Sequence, residues 1–339
     1  MRQPSLGELL GTKEPDPCVP EGLEVYDLFC GAGGFSCGAE LAGCRVVFAC
    51  DSCNDAIDTH KNNHPNATHL CSTLPVDLPL PTDGRAFHLH GSPPCQQFSS
   101  MNSRGRTAEA KATASNLIEW YLNLALGSRA TSWSMEQVPT NGVVRIVERV
   151  RKRHPKRLTY HVFDLEELGV PQTRKRLIAG TPALVSRLVR MCGTGRLRSV
   201  RDVISTGRAT HLRSSKGWDC QTLRHIRKPG ESKYVYSARP LVPESARVRA
   251  VTLPGPTIVT TSQPRWVRWH NDGFEHLKRV DVKHTAAMQT FPPTHRWPET
   301  KHLAYKQIGN ALPPLVAELL LRGERGRPRS LAYPLVPLE

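Results

Sequence analysis

A cysteine follows two prolines in Gly91-Ser-Pro-Pro-Cys-Gln-Gln-Phe-Ser99, and this stretch has the makings of a nucleophile. The prolines fix the backbone just before Cys95, at an exposed strand-to-loop junction. Thiolate chemistry needs that access and a positive neighbourhood. Glu136 ends the apolar run Thr131-Ser-Trp-Ser-Met135, where a carboxyl group can hold or pass a proton. Asp27-Leu-Phe-Cys-Gly-Ala-Gly-Gly-Phe35 is a glycine turn after an apolar run. It lacks the full GxGxxG dinucleotide fingerprint and the lysine of a phosphate loop. Its glycines allow a ligand close to the backbone, and Asp51 after the next apolar run can accept from ribose hydroxyls. An adenosine cofactor without an essential pyrophosphate fits these features. Taken singly, a lone cysteine is usually inert and a glycine turn is often only a turn, so the elements that position these groups matter.

Leu23–Phe29 reads as a strand, the glycine cluster as a turn and Phe35–Ala42 as a helix, the opening unit of a doubly wound α/β sheet. Arg45–Cys50 is a second strand, and Asn54–Asn63 is helical, closed by His64-Pro65. Phe87–His90 and Thr131–Met135 are further strands, with helical periodicity over Asn116–Leu126 between them. Strands alternating with helices imply a parallel sheet, whose ligands lie beyond the carboxyl ends of its strands. Asp51, Cys95 and Glu136 each follow a strand, so all three can face one cleft.

From about Thr181 the α/β rhythm is lost. Residues 181–278 hold 18 Lys+Arg against 6 Asp+Glu, which places +12 of the formal +16 in one region. Trp218, Tyr234, Tyr236, Trp266 and Trp269 are interleaved there. A basic, irregular module with aromatic surfaces suits a nucleic-acid backbone and base edges better than a small molecule. Seven of the ten cysteines crowd into residues 18–71, which is no secreted disulfide framework. Cys50-x-x-Cys53 has no second pair to complete a zinc site, and His60, His64, His88 and His90 show no metal spacing, so no metal is expected and these histidines read as structural. No stretch approaches the roughly 20 apolar residues of a membrane span. A soluble, intracellular protein is expected. The basic run Arg149–Arg157 can be read as an import signal or a phosphate-binding patch, and a solvated helix face is the favoured reading.

Together the motifs resemble the DNA (cytosine-5) methyltransferase family in its compact stand-alone form. Asp27–Phe35 resembles its cofactor loop and Gly91–Ser99 its Pro-Cys loop. Met135-Glu-Gln-Val138 is similar to its Glu-Asn-Val triplet, and Gly169–Leu177 to its Gln-x-Arg-x-Arg segment. Met288–Pro292 and Gln307–Pro313 match its last two blocks, and Pro256–Val259 resembles the end of its target-recognition region. The blocks follow the family's order from Val25 to Ala317.

The resemblance implies S-adenosylmethionine as cofactor and cytosine in duplex DNA as substrate. Cys95 would attack C6, Glu136 would hold the N3 and amino edge, and Arg174 would stabilise the ring, with Arg176 on structure or phosphate. The cytosine must be flipped out of its stack. Gln96–Thr107, with Ser99 and Arg104, resembles the mobile loop over the flipped base, and Gln137 and Gln172 would also serve the substrate. Asp27, Phe29, Gly31, Gly33, Gly34, Asp51, Ser52, Pro93, Asn310 and Ala311 would serve the cofactor. The implied organisation is a leader (1–22), a catalytic domain (23–180), a target-recognition domain (181–278), a C-terminal segment completing the first domain (279–325) and a tail (326–339). A monomer is expected.

Three positions depart from the pattern. Gln137 stands for Asn. Ser72-Thr73 occupy the place of the acid near adenine, with Asp77 a few residues on, and Asp281 and His284 replace the usual Thr and Glu. Two other functions stay in view. A tRNA cytosine-5 methyltransferase on this fold would carry a Cys-Phe-Thr triplet, which is absent. A non-catalytic homologue would normally lack the nucleophile or the Glu, and both stand here. The recognition sequence is not legible.

Overall fold

The computed structural model describes residues 22–94, 108–194, 197–205, 211–213, 248–250, 252, 254–255, 257–258, 260, 265–270, 273–322, 328, 333 and 335–337. Its first elements are β1 (Glu24–Leu28), α1 (Gly34–Leu41), β2 (Arg45–Asp51), α2 (Asn54–Asn63), β3 (Thr68–Cys71) and β4 (Phe87–Gly91). There follow α3 (Ala108–Gly127), β5 (Ser132–Gln137), α4 (Asn141–Arg153), β6 (Thr159–Asp164), β7 (Lys175–Gly180) and α5 (Pro182–Met191). The seven strands form a doubly wound, Rossmann-like sheet in the order β3-β2-β1-β4-β5-β7-β6.

β1 to β5 pair in parallel, but β7 runs antiparallel to both its neighbours. The four strands expected from the sequence, β1, β2, β4 and β5, are thus parallel as read, and the reversal falls on β7, outside them. Only residues 165–174 join β6 to β7, and a parallel crossover needs a dozen or more, so the chain can only turn back.

Helices cover both faces. Phe35 and Ala39 of α1 and Val185 and Leu188 of α5 join Leu315 and Leu320 in one buried cluster. Tyr121 and Leu122 of α3 and Val143 and Val147 of α4 form another with Leu28, Leu89 and Leu177. Past Thr181 the chain still packs on the first layer: Leu184, Val185, Leu188 and Val189 form one apolar face of α5 and dock it there. Arginines at 187 and 190 hide that periodicity in the sequence.

The rest of the chain comprises β8 (Ile204–Ser205), β9 (His211–Arg213), β10 (Val248–Ala250), β11 (Arg265–His270) and β12 (Gly273–Arg279). It continues with α6 (Val282–Met288), α7 (Lys301–Asn310), α8 (Pro314–Arg322) and β13 (Val336–Pro337). β9 to β12 make a four-stranded sheet in the order β10-β9-β11-β12, and β13 pairs with β8. Trp266, Val280, Met288, Phe291 and Ile308 bury a third cluster with Val200, Ile204 and Ile258. The C-terminal segment is therefore shared: α6 and α7 pack on this third cluster, and α8 returns to α1.

That return is very close. A Cβ on Gly38 would lie 2.2 Å from the Pro314 carbonyl oxygen and 2.7 Å from the Ala317 Cβ. Gly38→Ala is expected to cost about 1–3 kcal/mol, the usual range for overpacking a core. Urea denaturation of the two proteins checks it.

Candidate active site

The glycine turn leaves β1 through backbone that favours glycine. Phe29 (φ 57°), Gly31 (φ 55°) and Gly33 (φ 88°) all lie in the left-handed region. Asp51, at the end of β2, holds the turn: its Oδ2 accepts from the Gly31 amide at 2.9 Å and its Oδ1 from the Cys53 amide at 2.9 Å. A Cβ on Gly31 would meet nothing within 4 Å, whereas one on Gly34 would lie 2.3 Å from the Leu312 carbonyl oxygen and 3.0 Å from the Ala311 Cβ. One side of the turn is thus open and the other is sealed by the returning chain. That open cradle beside a strand-end carboxylate fits an adenosine-bearing ligand.

α7 is held in register by Thr59 Oγ1 donating to Gln307 Oε1 at 3.1 Å and Gln307 Nε2 donating to the Asp55 carbonyl at 2.9 Å. Ala311 therefore meets the turn, with Asn310 exposed beside it and Ser52 exposed beyond Asp51. Asp27 lies elsewhere than on the open side. It is buried beneath the turn, accepts from Ser36 Oγ at 2.7 Å, and is pushed up to about 7 by loss of water.

Glu136 and Gln137 end β5 side by side. Glu136 Oε1 lies 2.5 Å from Arg176 Nε, with both side chains largely shielded. Gln137 Nε2 donates to the Pro93 carbonyl at 2.5 Å, so this amide holds the backbone two residues before Cys95.

The two arginines differ from the expected arrangement. Arg174 is 1% exposed and donates to the carbonyls of Ile258 (3.1 Å), Gly309 (3.0 Å) and Ala311 (3.0 Å). A guanidinium with its donors divided between Ile258 and the Gly309–Ala311 segment is not aimed at a base. Arg176 is the cation that meets Glu136. Nor does Gln172 face a substrate. It is fully buried, donates to Met288 O and Gln289 Oε1, and accepts from the Ile258 amide. Gln289 in turn donates to the Ala311 carbonyl at 2.6 Å. Gln289 and Ile258 fall within the Met288–Pro292 and Pro256–Val259 blocks, but their bonding roles are not legible there, because they exist only where distant segments meet. Cys95, Ser99 and Arg104 lie outside the described residues, as do the rest of Gln96–Thr107 and Trp218, Tyr234 and Tyr236.

Beneath the cleft the core is unusually rich in histidine. His88 bridges Ser132 Oγ (2.8 Å) and Ser134 Oγ (2.9 Å), and His90 bridges Ser134 Oγ (2.8 Å) and Ser92 Oγ (3.1 Å). Phe35 stacks on His90 with ring centres 3.5 Å apart. His60 links Ser36 to His69. Burial lowers His88 and His295 to about 3 and holds His60 and His90 well below the usual imidazole range. Tyr121 donates to the carbonyls of Leu89 and Ser134 beneath β4, with its ring filling the space above Gly91.

A Rossmann-like sheet with one reversed strand, a glycine cradle closed by its own C-terminal chain, and a Glu–Arg pair at a strand end define a methyltransferase of the cytosine-5 type. The family model of the C-5 cytosine-specific DNA methylases matches residues 23–138 and 198–323. A type II methyltransferase of Herpetosiphon aurantiacus, M.HgiDI, is 27% identical over 328 residues, covering 93% of this chain and 99% of its own. M.HindV of Haemophilus influenzae is 24% identical, covering 88% and 95%. Among solved structures, the S. pombe Dnmt2 methyltransferase shares the fold with a TM-score of 0.56 at 16% identity, covering 88% of this chain and 97% of its own. The chain belongs to the C-5 cytosine-specific DNA methylase family and is a DNA (cytosine-5) methyltransferase.

Two outcomes follow from this geometry. Arg174→Met should lower stability by about 3 kcal/mol or more, since three carbonyls in the interior lose a charged donor. Thermal unfolding measures it. Stability should also fall as pH drops below the ordinary imidazole value of 6.5 toward 3. In that window the unfolded histidines take up protons that the buried ones refuse, so unfolding is favoured. Asp27, raised to about 7, works the other way, its contribution being full below 3.8 and lost as pH rises through 7. Four depressed histidines outweigh it. Urea midpoints at stepped pH values test the sign.

Proposed function

We propose that the enzyme methylates C5 of a cytosine flipped out of duplex DNA, with Cys95 as nucleophile and S-adenosylmethionine as cofactor. The observation that carries this reading is the Glu136–Arg176 pair beside Gln137, whose amide braces the turn leading to Cys95. The sulfur of Cys95 adds to C6 and leaves C5 nucleophilic. Glu136, held by Arg176, meets the N3 and amino edge and steadies the charge that develops there. Once C5 carries the methyl group, its proton passes to solvent, and the electron pair left behind restores the ring and expels the sulfur as thiolate. S-adenosylmethionine, when bound, supplies an electrophilic methyl group. Gly31, Gly33, Asp51 and Ala311 would hold it, with Phe29, Ser52, Pro93 and Asn310 at the rim. Arg174 and Gln172 serve the site as positioning residues, by fixing Ala311 against the chain at Ile258.

The basic region 181–278 is proposed as the target-reading module, and the enzyme as a monomer on double-stranded DNA. Relatives named type II methyltransferases support DNA as substrate. Among the described residues no helix is long and apolar enough to cross a membrane.

The test is methyl transfer from tritiated S-adenosylmethionine to unmethylated duplex DNA, beside tRNA. Label on DNA cytosine should vanish in Cys95→Ala and fall about 100-fold or more in Arg176→Ala, the scale of losing one aligned charge. Label on tRNA alone would overturn the DNA assignment.

A further inference from the structure

α4 presents a second positive surface that the cleft does not use. Val143, Ile146, Val147 and Val150 bury one side of the helix. Arg145, Arg149, Lys152 and Arg153 are exposed and recur at helical spacing on another side, and Lys156 and Arg157 extend the stripe into the turn before β6. With Arg151, the segment carries seven cations. Among the described residues Glu119 takes both Arg149 and Arg153, and Glu148 takes Arg151. Arg145, Lys156 and Arg157 have no acidic partner among the described residues, while Lys152 shares Glu148, four residues before it, with Arg151.

Cations in the last helical turn are stabilised by the helix dipole, but that effect fades within one turn and does not reach Arg145 or the residues past the helix. The position of the stripe matters more. α4 starts just after Gln137 at the carboxyl end of the sheet and runs back down it, so Arg153 lies about 18 Å below Asn141. Lys156 and Arg157 sit at the amino-end edge, before β6 begins at Thr159. The cleft and the foot of the stripe thus face opposite ends of the sheet, and a straight duplex seated in the cleft does not reach both.

We propose that this stripe is a second, sequence-independent site for duplex DNA, engaged while the cleft holds another segment, so that the enzyme passes directly from one DNA segment to the next. The inference rests on the reading that the cleft holds duplex DNA. It takes the same polyanion because a row of unpaired cations binds phosphates by releasing their counterions, with no base contacts needed.

Direct transfer has a kinetic signature. The dissociation rate of the full-length enzyme from a short labelled duplex, just long enough to fill the cleft, would be measured against rising concentrations of unlabelled random-sequence duplex. The rate should climb with competitor. Lys152→Gln/Lys156→Gln/Arg157→Gln should flatten that climb at unchanged methyl transfer on the short duplex. It should also reduce the salt slope of binding to long DNA by about 2–3, near one for each phosphate no longer neutralised. These side chains are exposed, so the variant should fold. A wild-type rate independent of competitor, or a variant that climbs equally, would overturn the proposal. So would a climb driven by an RNA duplex and not by DNA. Absence of methyl transfer in the wild type would instead defeat the reading of the cleft.

Discussion

A buried guanidinium must have acceptors, and Arg174 finds them on chain from both sides of the second lobe. Ile258 belongs to the segment packed with Val200 and Trp266, while Gly309 and Ala311 belong to the chain returning to the first lobe. Losing any one acceptor would strand part of a charge in a dry interior, at a cost far above that of an ordinary hydrogen bond. The Gln172–Gln289 pair repeats the same connection with neutral groups. Between them these side chains fix where Ala311 lies, and Ala311 is what closes the glycine turn.

The reversed strand follows from a short connection and has a chemical result. Running β7 back between β5 and β6 sets Leu177 opposite Gln137 and Ile178 opposite Glu136. Arg176 then stands just past the end of β5, within reach of the Glu136 carboxylate. A parallel strand in that place would have put the other end of β7 there. The pair is fixed by backbone register rather than by a flexible loop, which is how a site keeps its charges aligned before substrate arrives.

Much of this was legible in sequence. Gly31, Gly33 and Asp51 were marked by residue type beside an apolar run, because a glycine with positive φ and a strand-end carboxylate leave local traces. The assignment of the two arginines was not. Arg174 and Arg176 are two residues apart in one motif, and nothing local tells which points into the core and which to the cleft. That depends on β7 being antiparallel and on Ile258 arriving 84 residues later. α5 escaped for a different reason: its apolar face is interrupted by arginines, of which Arg187 is fully buried and bonded to the Leu320 carbonyl.

The packing of α8 against α1 also bears on how the enzyme is made. Gly34 and Gly38 touch Leu312, Pro314 and Ala317, partners far along the chain. A ribosome releases α1 long before α8, so the face of α1 that carries Gly34 and Gly38 waits uncovered while the chain between them is made. Contacts this distant in sequence close slowly, because the whole intervening chain must be confined before they repay the loss of freedom. The cradle beside Gly31 is therefore sealed only after Ala311 and Leu312 have been made, and a product truncated before them would lack the wall they provide.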